Sequence, residues 1–421
     1  MFTKVKLQKG VNLYIRKTDQ FKTITMSIKW LAELDEKQAA YRAVLSNVLQ
    51  DSNADYPKQS DLRKALDELY GTVFYMDAGK RGNSHIVSLN MECVNDEYLS
   101  TSGVFDEALK MIHSVIFKPN LKDGSFEEAI VNREKRTVIE RIRSIYDDKG
   151  RYAHKRMLEL MRPNDPASMS ASGTEEDVES ITNAILLDTY KRMLDEDEID
   201  IYVVGDVQED ELTEKIKSMF EFVERAVTKK QYEQPDKEVK EARQVFERQD
   251  MKQGKLQVGY STPVSFFHPD YPKMQVANGV LGGFAHSKLF MNVREKESMA
   301  YTVNSAYAAY YGILYVMAGI DAELEEKAVK LIGEQIDEMQ NGNISDLELD
   351  QTVALLRNSI RSAFDSARGQ IEVYDQYKQL DEDFTADKWI AKWEAVSIED
   401  VKQMASQIHL ELVYLLSGRE A

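Results

Sequence analysis

The residues of this chain whose types and spacing could handle a peptide are concentrated at 281–301, LGGFAHSKLFMNVREKESMAY. Arg294 offers a rigid fork of donors for a peptide carbonyl or carboxylate. Seven residues on, the Tyr301 hydroxyl could donate to the oxyanion that forms when an amide is attacked. Gly282 and Gly283 end an apolar helix over 276–281 and permit the backbone angles of a turn. A second helix then sets Leu289, Phe290 and Val293 on one face and Arg294, Glu295, Lys296 and Glu297 on the other. Strands at 300–303 and 312–317 follow, so Arg294 stands near a helix end and Tyr301 at a strand entrance. Taken on spacing alone, a surface ion pair for Arg294 and a rim-packed ring for Tyr301 outrank these roles.

Other chemistries find less support. There is no G-x-S-x-G elbow, no Walker loop and no G-x-G-x-x-G after a strand. The glycine-rich 279–283 lies at a helix end with no lysine, so it is not a phosphate cradle. Adjacent acids such as Asp147 and Asp148 face water. The six histidines, His85, His113, His154, His268, His286 and His409, contain no i, i+4 pair. Only His286 lies near the peptide-handling stretch, and it reads as a hydrogen-bonding loop residue. The single cysteine, Cys93, excludes a disulfide framework and reads as a small buried residue.

With 421 residues, 43% hydrophobic and 30% charged, the chain can fill two ordinary domain cores. No apolar run reaches the roughly 20 residues of a membrane span, and the opening MFTKVKLQKG lacks the apolar core of a signal peptide. A cytoplasmic address is expected. The formal charge of −18 argues against a nucleic-acid partner. It suits basic or neutral peptides, although most acids lie on helix faces and serve solubility.

The elements come in a repeated order. A hairpin over 4–16 and a strand at 23–30 lead to helices at 36–50 and 58–70, strands at 72–78 and 85–93, and a helix at 101–116. A long charged helix over 125–161, broken near Gly150, is followed by capped helices at 175–180 and 183–194, a strand at 199–204 and a helix at 209–220. Beyond a charged, non-periodic stretch at 227–241, the strand at 255–261, helices at 271–281 and 287–296 and strands at 301–308 and 312–319 return in the same order. A helix at 322–340, a long helix at 345–380 and a strand at 409–416 close it. The predicted fold is α+β: two homologous α/β-sandwich halves, 1–226 and 242–421, joined by a linker at 227–241.

The pattern LGG-x5-LF-x3-REK-x3-AY resembles the second-half motif of the pitrilysin, insulysin and mitochondrial processing peptidase superfamily, the inverzincin zinc peptidases. In that family an arginine and a tyrosine seven residues apart reach a peptide held at a zinc site in the first half, and Arg294 and Tyr301 match them. The resemblance also implies His-x-x-Glu-His on the first helix of the first half. There, two imidazoles bind zinc and the glutamate activates a water. Ala43-Val44-Leu45-Ser46-Asn47 stands in that place, with Ala43 and Asn47 at the ligand positions and Ser46 at the base. The third ligand position falls on Arg141, with Glu140 one residue off, and a cation there would repel zinc.

The resemblance therefore implies a catalytically inactive, substrate-positioning subunit without zinc of its own. It would pair with a zinc-bearing paralogous subunit and contribute Arg294 and Tyr301 to a shared peptide site. In the family, peptides lie extended against a sheet edge, and 72–78 is the implied strand. The alternative is a non-proteolytic peptide-binding or scaffold protein that associates with itself as a homodimer. A metallopeptidase with relocated ligands ranks third.

Overall fold

The computed structural model describes residues 1–227 and 241–418. The expected linker therefore lies, apart from its ends, outside the described residues. The chain forms two compact units, and each is drawn from more than one segment.

The first unit takes Met1–Ser144, the described part of 169–231 and Asp365–Gln376. Strands β1 (Thr3–Gln8) and β2 (Val11–Lys17) form a hairpin. It turns at Gly10, where φ is +78° and a Cβ would meet the Arg225 side chain at 2.3 Å. Strand β3 (Thr23–Glu33) precedes helix α1 (Glu36–Asp51), whose first turn is capped by Asp35 accepting the Gln38 N–H at 2.8 Å. Helix α2 (Gln59–Glu68) ends before Gly71, at φ +70°. Strands β4 (Val73–Arg81) and β5 (Ser84–Val94) and helix α3 (Val104–Phe117) follow. After a small hairpin, β6 (Leu121–Lys122) and β7 (Ser125–Phe126), come helix α4 (Glu128–Asp147) and then helix α5 (Lys149–Met161), which belongs to the second unit. Helices α6 (Glu175–Glu179) and α7 (Asn183–Asp195), strand β8 (Glu198–Gly205) and helix α8 (Glu209–Met219) complete this part of the chain.

The second unit takes Ile145–Ser168, the described part of 232–364 and Tyr377–Ala421 up to residue 418. After the linker region the chain continues with β9 (Arg243–Arg248), β10 (Gly254–Ser261) and α9 (Tyr271–Asn278). Strands β11 (Thr302–Ala308) and β12 (Ile313–Ile320) precede helices α10 (Glu325–Gln340) and α11 (Asp346–Ala363). Helix α12 (Ala367–Tyr377) returns, up to residue 376, to the first unit. Helices α13 (Ala386–Glu394) and α14 (Ile398–Ala405) lead to β13 (His409–Ser417).

Sheet topology supports the duplication. The first sheet runs β1-β2-β8-β3-β5-β4 and the second runs β9-β13-β10-β12-β11. The β2–β8 and β9–β13 pairs are parallel and all other neighbours in both sheets are antiparallel. The second sheet thus repeats the first without β1. The fold is α+β, as the element order predicts. The helix expected over 345–380 is two helices, α11 and α12, separated at 364–366.

Period two divides each face of the first sheet. Ile24, Met26, Ile28 and Trp30 of β3 are buried against a core that includes Ala43, Val44 and Leu45 of α1. The alternate residues Thr25, Ser27 and Lys29 point to the other face, which α12 covers. There Lys29 Nζ lies 2.9 Å from Asp375 Oδ2 and 2.8 Å from Glu372 Oε2. Arg81 approaches Asp375 at 2.7 Å, and the Tyr202 hydroxyl donates to Asp375 Oδ1 at 2.5 Å. The side chains of Lys29 and Asp375 are only 3% and 1% exposed, so each charge needs the other.

In the second unit α5 packs on β10 and β13. Ala153, Met157 and Met161 join Ile313, Leu412 and Tyr414 in its core. The approach is close enough that a Cβ at Gly259 would meet Met161 Sδ at 2.3 Å. Glu247 binds this helix by accepting from Arg156 at 2.6 Å, and it also accepts from the hydroxyls of Tyr152 and Tyr414. No helix among the described residues is long and apolar enough to cross a membrane.

Replacing Asp375 with alanine leaves the buried Lys29 with only the half-exposed Glu372 as a carboxylate partner and should cost about 3–5 kcal/mol, read as a fall in the urea midpoint. The double variant Lys29→Met, Asp375→Leu should recover most of that loss. A single variant with the wild-type midpoint would mean that the cluster does not hold α12.

Candidate functional site

The stretch 279–301 is built on irregular helix. After α9 the backbone widens into a π-helical turn at Gly279–Gly283, and a second π-helical segment spans Leu289–Lys296. Such bulges mark positions where packing overrides regular helical bonding. Neither Gly282 nor Gly283 has a positive φ, so what this pair supplies is space and not the turn angles that its sequence suggests. A Cβ on Gly282 would sit 2.6 Å from the Ser305 backbone nitrogen and 2.7 Å from Leu289 Cδ1. Ser305 itself donates to Asn278 Oδ1 at 2.8 Å, tying β11 to the end of α9.

The segment that carries Arg294 is anchored beneath. Leu289 and Val293 are fully buried. Lys288 donates to the Asn343 carbonyl at 2.6 Å and pairs with Glu348 at 2.9 Å, and Asn292 donates to Gln335 at 2.6 Å. His286 contacts the Thr352 hydroxyl at 2.9 Å, the hydrogen-bonding role its loop position suggests. Ser298 turns the chain at φ +51°, and the buried Met299 and Ala300 lead into Tyr301, whose N–H donates to the Gly319 carbonyl at 2.9 Å.

The two candidate side chains themselves stay open. Arg294 lies over the Phe290 ring at 4.5 Å and 3.6 Å from Glu295, with its side chain 41% exposed. Tyr301 is 62% exposed and its hydroxyl has no hydrogen-bond partner among the described residues. The nearby tyrosines pack instead. Tyr307 donates to the Val264 carbonyl, and Tyr310 stacks on Phe266 at 4.4 Å.

In the first unit, Ala43, Ser46 and Asn47 share one face of α1 by helical spacing. Ala43 is fully buried, Ser46 is buried and donates back to the Ala43 carbonyl at 2.9 Å, and Asn47 is half-buried. Arg141 is exposed, and its carbonyl accepts the Ser144 hydroxyl at 2.7 Å. From α4, Arg133 reaches α1, 2.5 Å from the buried Asp51, and lies 2.8 Å from Glu134. Just before Ala43, the buried Arg42 pairs with Asp197 at 2.6 Å and donates to His85 Nδ1 at 3.0 Å. Burial, with the adjacent Arg42 charge, depresses the His85 pKa to about 3. Burial likewise pushes the Cys93 thiol up to about 12, which fits its reading as a small inert residue.

One further residue of this region belongs to no motif. Gln50, two helical turns beyond Ala43, accepts the Met76 N–H of edge strand β4 at 2.6 Å. By period two, Phe74 and Ala78 turn their backbone groups to the same open side. The only sequence signal for Gln50 is its place seven residues after Ala43.

Comparison with known proteins fits this geometry. Residues 180–356 match the family described as "Peptidase M16 inactive domain". The chain is 37% identical over 412 residues to the Bacillus subtilis protein named "Probable inactive metalloprotease YmfF", across 98% of this chain and 96% of that one. The chain belongs to the M16 peptidase family. A crystal structure of a conserved protein from Enterococcus faecalis V583 superimposes with a TM-score of 0.91 at 34% identity, over 99% of both chains. An M16 inactive domain from Pseudomonas fluorescens, at 15% identity and a TM-score of 0.79, covers 100% of this chain and 99% of its own and shares the fold.

The zinc of an M16 peptidase does not fit the residues present in this M16 chain. Where the resemblance puts two imidazoles and a carboxylate, Ala43, Asn47 and Ser46 offer a methyl group, a carboxamide and a hydroxyl committed to the helix backbone. Among the described residues, no three His, Cys, Asp or Glu side chains are grouped as a metal site requires.

Gly282 is where the platform is most sensitive. Gly282→Ala should destabilise the chain by about 1–3 kcal/mol through overpacking against Ser305 and Leu289. Gly283→Ala, whose Cβ would meet Asn278 at 3.3 Å, should cost less. Equal thermal midpoints for wild type and Gly282→Ala would refute the tight approach.

Proposed function

We propose that this chain is a non-catalytic, substrate-positioning subunit of an M16-type peptidase complex, in which a zinc-bearing paralogous chain supplies the metal. The observation that carries the reading is the contrast between the two motif regions. Arg294 and Tyr301 are held out to solvent on a segment anchored by Leu289, Val293, Lys288 and Asn292. The position of the metal helix is filled by buried Ala43 and Ser46.

Each residue has a role that needs no metal on its own chain. The Arg294 guanidinium binds and orients a peptide carbonyl or carboxylate, and its stacking on Phe290 limits the orientations it samples. The Tyr301 hydroxyl, which no neighbour occupies among the described residues, donates to the oxygen on which negative charge develops. Zinc on the partner chain would supply the activated water. Within the first unit by itself, an extended peptide would pair with the open side of β4, displacing Gln50 from Met76 where it does so.

The test is cleavage of a peptide library by this chain alone, by a zinc-bearing paralogue alone and by the two mixed. Turnover is expected only in the mixture. Tyr301→Phe in the mixed complex should lower kcat by about 100- to 1,000-fold, the usual effect of losing one oxyanion donor. Arg294→Ala should raise KM. Full activity in both variants would overturn the site assignment. A stable homodimer that binds peptide and shows no turnover in any combination would favour the scaffold reading instead.

A further inference from the structure

The face of the first sheet covered by α12 holds a cavity of about 250 Å³, lined entirely by residues of the first unit. It is separate from Arg294 and Tyr301 in sequence and in unit. Its walls are largely apolar, with Val73 of β4, Val94 of β5 and Ile371 of α12 among them. Two polar side chains in the lining are unlike the rest. Thr25 and Asn90 are each 6% exposed, and the Thr25 hydroxyl and the Asn90 side-chain nitrogen have no hydrogen-bond partner among the described residues.

The orientation of Asn90 is set by its other end. Ser27 donates to Asn90 Oδ1 at 2.8 Å, so the carboxamide nitrogen is the atom left over. Ser27 lies directly opposite Asn90 on β5, and Thr25 lies opposite Glu92. Thr25 and Asn90 are therefore diagonal neighbours on adjacent strands, close enough to serve one group. Both can donate. Buried donors without acceptors are rare because desolvation is not repaid.

We infer that this cavity is a binding site for a small molecule with a short apolar body and one acceptor group, an amide or a carboxylate, whose oxygen takes hydrogen bonds from Thr25 and Asn90. The volume fits. A dry cavity of about 150 Å³ holds benzene, so this one admits about ten non-hydrogen atoms. At the mouth, the Arg368 guanidinium lies 4.9 Å over the Tyr75 ring and 3.6 Å from Asp77, where it can accompany a carboxylate.

The experiment is calorimetric titration of the full chain with hexanamide, hexanoate and hexylamine. The acceptor chemistry predicts saturable binding of hexanamide or hexanoate, and the stronger of the two identifies the head group. Hexylamine, which offers no acceptor oxygen, should bind at least tenfold more weakly. Thr25→Val should weaken the bound ligand at least tenfold while leaving the thermal midpoint of the free protein unchanged or higher, because an unpaired buried hydroxyl is removed at constant shape. Val73→Phe, at a wall position 55% exposed, should block the same binding without unfolding the chain. No binding of either acceptor compound at 10 mM (a concentration about tenfold above a 1 mM Kd), equal binding of hexylamine, or wild-type binding by both variants would each overturn the site.

Discussion

Lys29 lies in the middle of a sheet, almost wholly removed from water, and its ammonium group depends on the carboxylate of Asp375, 346 positions later in the chain. A buried charge of this kind is tolerated only when it is paired and its remaining donors are used. That requirement brings residues 365–376 back to the first unit, and the polar face of β3 and β8 makes sense only with α12 on it. The second unit meets a milder form of the same demand with α5, where Met157, Met161 and the Arg156–Glu247 pair cover β10 and β13. Each half of the sequence thus lends one helix to the other unit.

Most of the elements are legible in hydrophobic period and capping. The hairpin at Gly10, the strands expected at 23–30 and 85–93 and the capped helices expected at 175–180 and 183–194 follow from local residues, and the structure moves their ends by at most three residues. The duplication is legible because the same order of periods occurs twice. Strand β9, with helices α13 and α14, is not in that reading, and the long helix at 345–380 is in fact two. The helix exchange is also hidden, because its cause is a contact between Lys29 and Asp375 that no local pattern records.

The site divides in the same way. Arg294 and Tyr301 stand out because a motif names them, and the structure supplies what the motif could not: an irregular helix, buried anchors and side chains left open. Gly282 stands out in the sequence as a turn former, whereas what it provides is room against Ser305. On α1 the positions that the resemblance singles out are packed positions. Ala43 and Ser46 still bury a helix face against the sheet, which preserves the fold where donors for a metal are absent. Gln50, Thr25 and Asn90 belong to no motif, because their significance lies in which polar atoms are paired and which are left unpaired.

In the proposed complex the catalytic metal belongs to another chain. The most direct measurement is the zinc content of this purified chain after incubation with excess zinc and dialysis, read by atomic emission with a parallel peptide-cleavage assay. The expected result is no stoichiometric zinc and no turnover by this chain alone. One tightly held zinc per chain, with cleavage that a chelator abolishes, would contradict it.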